Sequence, residues 1–209
     1  MEKYKKSLEI ELTSKCILAC PGCARTIDKA YTKEWHAGDM PLDYVKKLCD
    51  STDYIQYNFI GCYGDAIYHP KFIEICEYFL EKNKKILVHT NGSNKPAKWW
   101  ERLAQLNWNK NDHTFTFSLD GLEDTNHIYR INAKWNTILQ GIQILTKAKN
   151  QPALIWKFIK FPYNAHQINQ AKLMSKDLGF DTFEVVDSYR SKENYKTKEE
   201  DLNLYVSKE

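Results

Sequence analysis

The sequence predicts an α/β fold in which six parallel strands alternate with helices and form an incomplete (β/α)6 barrel, a partial TIM barrel. Short strand-like runs alternate with amphipathic stretches along most of the chain, and the strand-like runs themselves alternate polar and apolar residues. The length of 209 residues suits a single domain. Strands that alternate with helices imply a parallel sheet whose strands are joined by right-handed crossovers. An ordinary half-exposed antiparallel sheet is the alternative interpretation.

Each predicted element follows from its local pattern. The strand-like segments are residues 8–13, 54–60, 85–91, 114–120, 154–161 and 182–187. The helical pattern occupies residues 42–51, 71–82, 97–106, 136–149 and 166–178. Pro41, Pro70 and Pro96 precede three of these helices, where a first-turn proline is tolerated, and Gly179 follows the last one as a C-terminal cap. We therefore expect a core domain over residues 1–188 and a short charged C-terminal tail over residues 189–209.

One face of the predicted strands is polar. Side chains alternate across a strand, so the apolar set can pack on helices while the polar set faces the interior of the sheet. A closed barrel fills its interior with bulky aliphatic side chains. The polar set therefore predicts an open, solvated channel for a polar ligand; its members include Glu9, Glu11, Gln56, Asn58, His89, Asn91, Ser118, Asp120 and Glu184.

The overall charge excludes some classes of partner. Thirty basic residues balance 27 acidic ones, and this net charge of +3 indicates neither a nucleic-acid-binding nor a membrane-binding surface. No apolar run approaches the ~18 residues that a membrane span needs. The first residues include a basic patch but no apolar signal region. We expect a cytoplasmic protein with no membrane partner.

Three of the six cysteines lie within eight residues of one another, at Cys16, Cys20 and Cys23. Disulfide frameworks are typical of small secreted domains, so this cluster favours metal binding. A structural zinc site draws four ligands from short pairs, and a site completed by His36 is the zinc alternative. Three thiolates on one tight loop favour an iron–sulfur cluster. Because such clusters normally take four cysteines, a [4Fe–4S] cluster on these three would leave one iron open.

The motifs, taken in order, resemble those of the radical S-adenosylmethionine (radical SAM) enzymes. The spacing Cys16-x3-Cys20-x2-Cys23 after a first strand resembles the family signature. Residues 61–70, Gly-Cys-Tyr-Gly-Asp-Ala-Ile-Tyr-His-Pro, are similar to its Gly-Gly-Glu-Pro segment, and residues 90–92 to its Thr-Asn-Gly turn. Residues 118–121, Ser-Leu-Asp-Gly, are followed by Arg130 as in many members. The likeness covers residues 8–187 and implies a short single-domain member without a SPASM or Twitch auxiliary-cluster extension.

The resemblance implies a mechanism. The cofactors would be a [4Fe–4S] cluster and S-adenosyl-L-methionine, and an external one-electron reductant of the flavodoxin or ferredoxin type would supply the electron. Reductive cleavage would give methionine and a 5′-deoxyadenosyl radical, which would abstract hydrogen from a substrate. The cofactors carry this chemistry, while the protein binds and orients them.

The resemblance also implies roles for residues of the cysteine loop and the second strand. The three clustered cysteines would ligate three irons. The backbone of Tyr63, Gly64 and Asp65 would meet the methionine amino group, with Asp65 standing where the family usually has Glu. Gly22 occupies the position where many members place an aromatic residue beside the adenine. Cys62 is a candidate hydrogen-atom donor, whereas its alternative role is that of a small residue in a tight turn.

Further cofactor contacts are implied along the later strands. Ser118 and Asp120 would hydrogen-bond the ribose hydroxyls. Arg130 would pair with the methionine carboxylate, since its planar fork suits that partner. Asn91 and Asn164 would contribute other cofactor contacts.

The substrate stays open at this stage. The polar channel favours a small polar metabolite or nucleotide, whereas the likeness to peptide-modifying members favours a peptide. Lys110, Lys157 and Lys160 are candidates to meet an anionic substrate, or they are solvated charges. The alternative function is a non-catalytic iron–sulfur or zinc-binding module. Nucleic-acid stacking is disfavoured because the six Trp residues do not interleave with a basic stripe.

Overall fold

A six-stranded, all-parallel sheet forms the centre of the computed structural model, which describes residues 7–31, 37–93 and 95–188. The strands follow the chain in spatial order β1 to β6 and every neighbouring pair is parallel, so the antiparallel alternative is wrong. In this part of the chain β1 and β6 do not pair, and the sheet stays open, which confirms the predicted fold class. The strands are β1 (Ser7–Ile10), β2 (Gln56–Phe59), β3 (Lys85–Thr90), β4 (His113–Ser118), β5 (Ala153–Lys160) and β6 (Thr182–Asp187).

Seven helices occur in the described ranges. They are α1 (Ala24–Tyr31), α2 (Leu42–Ser51), α3 (Phe72–Glu81), α4 (Ala97–Ala104), α5 (Asn126–Tyr129), α6 (Trp135–Thr146) and α7 (Ile168–Asp177). The sequence patterns did not predict α1 or the single-turn α5, because both are short and sit beside loops with strong turn signals. None of the helices in these ranges has the length and apolarity needed to cross a membrane. The tail predicted over residues 189–209 lies outside the described residues, as does His36.

The apolar side chains on one face of the strands pack against the helices. Phe115 and Phe117 of β4 are fully buried, and the Phe117 ring lies 5.9 Å from that of Trp100 on α4. A Cβ atom at Gly141 of α6 would lie 2.4 Å from the Trp100 ring, so only glycine lets the two helices approach this closely. Burying such aromatic side chains supplies much of the stability of the domain.

Most strands end earlier than their patterns predict. Residues 11–13, 60, 91, 119–120 and 161 were expected to extend strands, but they lie in loops beyond the strand ends. Their polar side chains hydrogen-bond neighbouring loops, and these bonds replace the regular strand pairing. The carboxyl ends of the parallel strands thus meet the loops that surround a cavity.

Candidate functional site

A cavity of about 590 Å³ opens at the carboxyl ends of the strands. Its walls are the cysteine loop after β1, the loop after β2, and the ends of β3 to β6. This is the edge where parallel α/β sheets normally place their ligands. The cavity brings together Cys16, Cys20, Cys23, Cys62, Tyr63, Gly64, Asp65, Asn91, Ser118 and Arg130, all expected at the site.

The cysteine loop turns directly into α1. The Cys23 N–H donates to the Cys20 carbonyl at 3.1 Å, and the Cys23 carbonyl accepts from Ile27 N at 3.0 Å as the helix begins. All three thiols are free of disulfides and line the cavity, with Cys20 buried and the other two half-buried. Arg25, 6% exposed, donates from Nη2 to the carbonyl of Leu18 and so braces the loop between the first two cysteines.

These thiols fit a polynuclear cluster better than a single ion. Within the described ranges, no three His, Cys, Asp or Glu side chains converge closely enough to hold one metal ion. A structural zinc needs such convergence, whereas a [4Fe–4S] cluster takes each thiolate on a different iron. Cys49 and Cys76 are fully buried in the core between helices and sheet, so they do not add a fourth ligand. The donor set therefore fits a cluster with one iron left open.

Cys16 lies beside the end of β3. The Asn91 side-chain amide donates to its sulfur at 3.4 Å. Burial, with a smaller contribution from Asp65, raises the pKa of the metal-free Cys16 thiol to about 12. Because metals bind the thiolate, assembly of a cluster has to displace this proton.

Asp65 joins the loop after β2 to the end of β3. Its carboxylate accepts from the Thr90 hydroxyl at 3.0 Å and from the Asn91 N–H at 2.6 Å, and also from the Asn91 side-chain amide. Its second oxygen accepts from the N–H of Ile67 at 3.2 Å and caps the short turn Ala66–Tyr68. Burial raises the pKa of Asp65 to about 6, and the hydrogen bonds hold it from rising further. The structure thus gives the Asp65 side chain a bracing position that sequence analysis did not foresee.

Glu11 braces the site, whereas the sequence placed it only in the polar set expected to face the channel. Its carboxylate accepts from the backbone N–H groups of Tyr63 at 2.6 Å and Gly64 at 2.8 Å, which orients the loop after β2. A Cβ atom at Gly64 would lie 1.8 Å from the Thr13 carbonyl oxygen, so this loop can approach the end of β1 only with glycine. The signal in the sequence was that Glu11 falls on the polar face of the first predicted strand.

Arg130 lines the cavity and forms an ion pair with a buried carboxylate. Its Nε lies 2.8 Å from the carboxylate of Asp120, and the two side chains are 11% and 0% exposed. Burial lowers the pKa of Arg130, but the Asp120 carboxylate raises it more strongly, so the guanidinium stays charged. The second Asp120 oxygen accepts from Ile159 N at 2.9 Å.

Asp120 and Asn164 are not brought to the cavity surface. Asp120 is fully buried behind Arg130. The Asn164 amide donates to the carbonyls of Asp120 at 2.9 Å and Ile159 at 3.0 Å, while its oxygen accepts from Phe161 N at 2.7 Å. Both side chains therefore tie the end of β5 to the loop after β4. Direct contact of either side chain with a cofactor stays a prediction.

Two further candidates sit at the cavity itself. Cys62 is exposed there, and its carbonyl accepts from the Cys23 thiol at 3.5 Å. Gly22 lies in the wall formed by the cysteine loop, where it offers only backbone.

Comparison with known proteins gives one match to a protein family and several matches to solved structures. The model of the family described as the Radical SAM superfamily matches residues 10–159. The structure of Streptococcus suis SuiB bound to S-adenosylmethionine has a TM-score of 0.69 at 16% identity, over 97% of this chain and 47% of SuiB. Native anSMEcpe with bound AdoMet and Cp18Cys peptide has a TM-score of 0.64 at 18% identity, over 93% of this chain and 56% of its own.

A third solved structure, TYW1 with a lysine-pyruvate adduct bound, has a TM-score of 0.63 at 13% identity, over 92% of this chain and 69% of TYW1. No curated protein matches the chain in sequence. The chain spans about half the length of SuiB and anSMEcpe. At these identities the solved structures establish a shared fold.

Proposed function

The chain belongs to the radical SAM superfamily, and from this membership we propose that it is an enzyme that binds a [4Fe–4S] cluster and S-adenosylmethionine in its cavity. When bound, these cofactors supply reductive cleavage of S-adenosylmethionine to methionine and a 5′-deoxyadenosyl radical that abstracts hydrogen from a substrate. The protein's part is to bind, orient and shield them.

The observation that carries the proposal is that three thiols of one loop, none of them in a disulfide, share a cavity with the polar ends of four neighbouring strands. A scaffold or electron carrier has no need of polar strand ends beside its metal. In the proposed enzyme Cys16, Cys20 and Cys23 hold the cluster and leave one iron to bind the second cofactor. Arg25 keeps the cysteine loop in place through Leu18.

The remaining cofactor contacts follow the cavity wall. We assign the methionine amino group to the backbone of Tyr63, Gly64 and Asp65, which Glu11 orients through two N–H groups. A loop that is already oriented loses little freedom when it binds its ligand.

Arg130 is the group proposed for the methionine carboxylate, because a guanidinium binds a carboxylate with two parallel hydrogen bonds. Asp120 then acts as a positioning residue that holds this guanidinium charged and aimed. Asn164 supports Asp120 from the end of β5. Ser118 and Asn91 are assigned to direct cofactor contacts, since both line the cavity.

The substrate and the electron donor complete the proposal. We expect a reductant of the flavodoxin or ferredoxin type, and a substrate that is either a small polar molecule or a peptide. The anSMEcpe structure holds a peptide together with AdoMet, which supports the peptide class for a related fold. Cys62, exposed at the cavity, is the candidate to return a hydrogen atom to the substrate.

The test uses anaerobically reconstituted protein. We expect about four irons and four sulfides per chain, and 5′-deoxyadenosine on chromatography after reduction with dithionite in the presence of S-adenosylmethionine. Replacing Cys16, Cys20 and Cys23 by Ala should remove both. Cys62→Ala is the matched control, because it removes a cavity thiol outside the proposed ligand set and should keep the full iron content. Zinc in place of iron would overturn the proposal, and a cluster that never binds the cofactor would favour a non-catalytic module.

A further inference from the structure

We propose that the floor of the cavity binds an anionic group of the substrate, a carboxylate or a phosphate, through the ammonium of Lys157 with His89 beside it. This assignment rests on the proposed function in one respect, that the bound anion belongs to the substrate. It narrows the substrate to molecules that carry a carboxylate or a phosphate.

Lys157 occupies a central place in the sheet. It lies on β5, where its Cα is paired in register with Ser118 of β4 on one side and Glu184 of β6 on the other. Its side chain lines the cavity and is half-buried, unlike that of Lys160, which is exposed at the end of the same strand. A ligand in the cavity therefore contacts Lys157 at the wall that the sheet forms.

The other charges around the cavity already have partners. Arg130 is paired with Asp120 and is assigned to the methionine carboxylate of the cofactor, and Asp187 forms an ion pair with Lys160. Asp65 accepts hydrogen bonds from the end of β3. None of these groups is left to bind an anionic group of the substrate.

Two cations lack a carboxylate partner among the described residues that line the cavity. Arg25 is one, and it sits beside the three thiols, which become negatively charged when they bind metal. Lys157 is the other: in the described part of the chain no carboxylate forms an ion pair with it, and its register neighbour Glu184 is exposed. A partly buried ammonium without a counter-charge is costly, so an anionic ligand would be favoured there.

His89, which lies near Lys157, is suited to an anion. Burial, together with the nearby charge of Lys157, lowers the pKa of His89 to about 4, so this imidazole is neutral at pH 7 and can donate one hydrogen bond. One ammonium and one neutral donor can bind the oxygen atoms of a single carboxylate or phosphate.

Inorganic phosphate and acetate, added separately to the reconstituted protein, test the proposal. Broadening of the phosphorus resonance reports phosphate binding, and saturation transfer to the methyl protons reports acetate binding. We expect Lys157→Met to weaken binding of the preferred anion at least tenfold, while Lys157→Arg retains it. Lys160→Met is the matched control on the same strand and should bind within twofold of the wild type. Stronger binding of phosphate indicates a phosphorylated substrate, and stronger binding of acetate a carboxylated one.

Three results would overturn the inference: wild-type protein that binds neither anion, Lys157→Met protein that binds them as the wild type does, or binding so weak that it is an adventitious ion only. The affinity for S-adenosylmethionine should stay within twofold in Lys157→Met. A tenfold loss would instead assign Lys157 to the cofactor's carboxylate. Failure of the proposed function is separate, since it would appear as absence of 5′-deoxyadenosine from wild-type protein whatever the anion titrations give.

Discussion

Asp65 accepts four hydrogen bonds from the segments that surround it. These bonds hold the segments of the cavity wall in fixed positions around one residue. One of its donors, the Asn91 side chain, also contacts the sulfur of Cys16. The end of β3, the loop after β2 and the first cysteine are thereby linked through two side chains. Buried networks of this kind restrict the rotamers of each member, so the thiol faces the cavity in a defined orientation.

At the residue scale, His89 predicts how stability depends on pH. Its pKa falls from 6.5 to about 4 on folding, so the unfolded chain binds the proton more readily between these values. His89 therefore contributes nothing to the pH dependence above about pH 6.5 and costs stability as the pH falls toward 4. We expect metal-free wild type to lose roughly 1–2 kcal/mol more than His89→Gln between pH 7 and pH 4, allowing for partial exposure. Urea unfolding at several pH values measures this, and parallel pH profiles would contradict it.

Arg25 predicts an effect on the cluster itself. A buried positive charge beside three thiolates favours the reduced, more negative state of a cluster, because net charge is one of the factors that set its potential. Arg25→Met should lower the midpoint potential, on the order of tens of millivolts, while Arg25→Lys should stay nearer the wild type. A redox titration followed by electron paramagnetic resonance gives the potentials. Equal potentials in all three proteins would show that Arg25 only braces the loop.

At the scale of elements, the end of β1 and the loop after β2 pack as one unit. Glu11 holds the N–H groups of Tyr63 and Gly64, while the Asp65 N–H donates to the Lys15 carbonyl at 3.0 Å. The two segments that carry the first cysteine and the proposed amino-group site thus move together. Changing either one should disturb both.

Gly64→Ala tests this packing. The added methyl group would lie 1.8 Å from the Thr13 carbonyl oxygen, so the backbone has to separate, and we expect a loss of about 3 kcal/mol in the free energy of unfolding. Gly38→Ala is the matched control, because no atom beyond its own residue and its two chain neighbours lies within 4 Å of its Cβ position. Chemical denaturation of both variants gives the comparison. Equal stability of the two would show that the loop adapts freely.

At the scale of the whole molecule, the fold was predictable and part of the site was not. Strand order and direction follow from local periodicity together with the handedness of crossovers, which act on every unit alike. The cysteines, the loop after β2 and Ser118 reach the cavity because strand ends in a parallel sheet share one edge. The pairing of Asp120 with Arg130 depends on a contact between a loop and a helix end, which no local pattern encodes.

The same reason explains the other differences. The sequence pattern of a strand continues past the true strand end because the same polar residue types occur in loops and at inward-facing strand positions. Asn164 was expected to touch a cofactor, yet it satisfies backbone groups of two loops. Buried backbone groups need partners, and which side chain supplies them is decided by the packed structure.

The central claim is that the three thiols and the polar strand ends form one site for a cluster and S-adenosylmethionine together. Electron paramagnetic resonance of the reduced, reconstituted protein, with and without S-adenosylmethionine, tests it most directly. A cluster with an open iron inside this cavity predicts a clear change in the spectrum when S-adenosylmethionine is added, and a much weaker change in Arg130→Met. A spectrum that S-adenosylmethionine leaves unaltered in the wild-type protein would contradict the account.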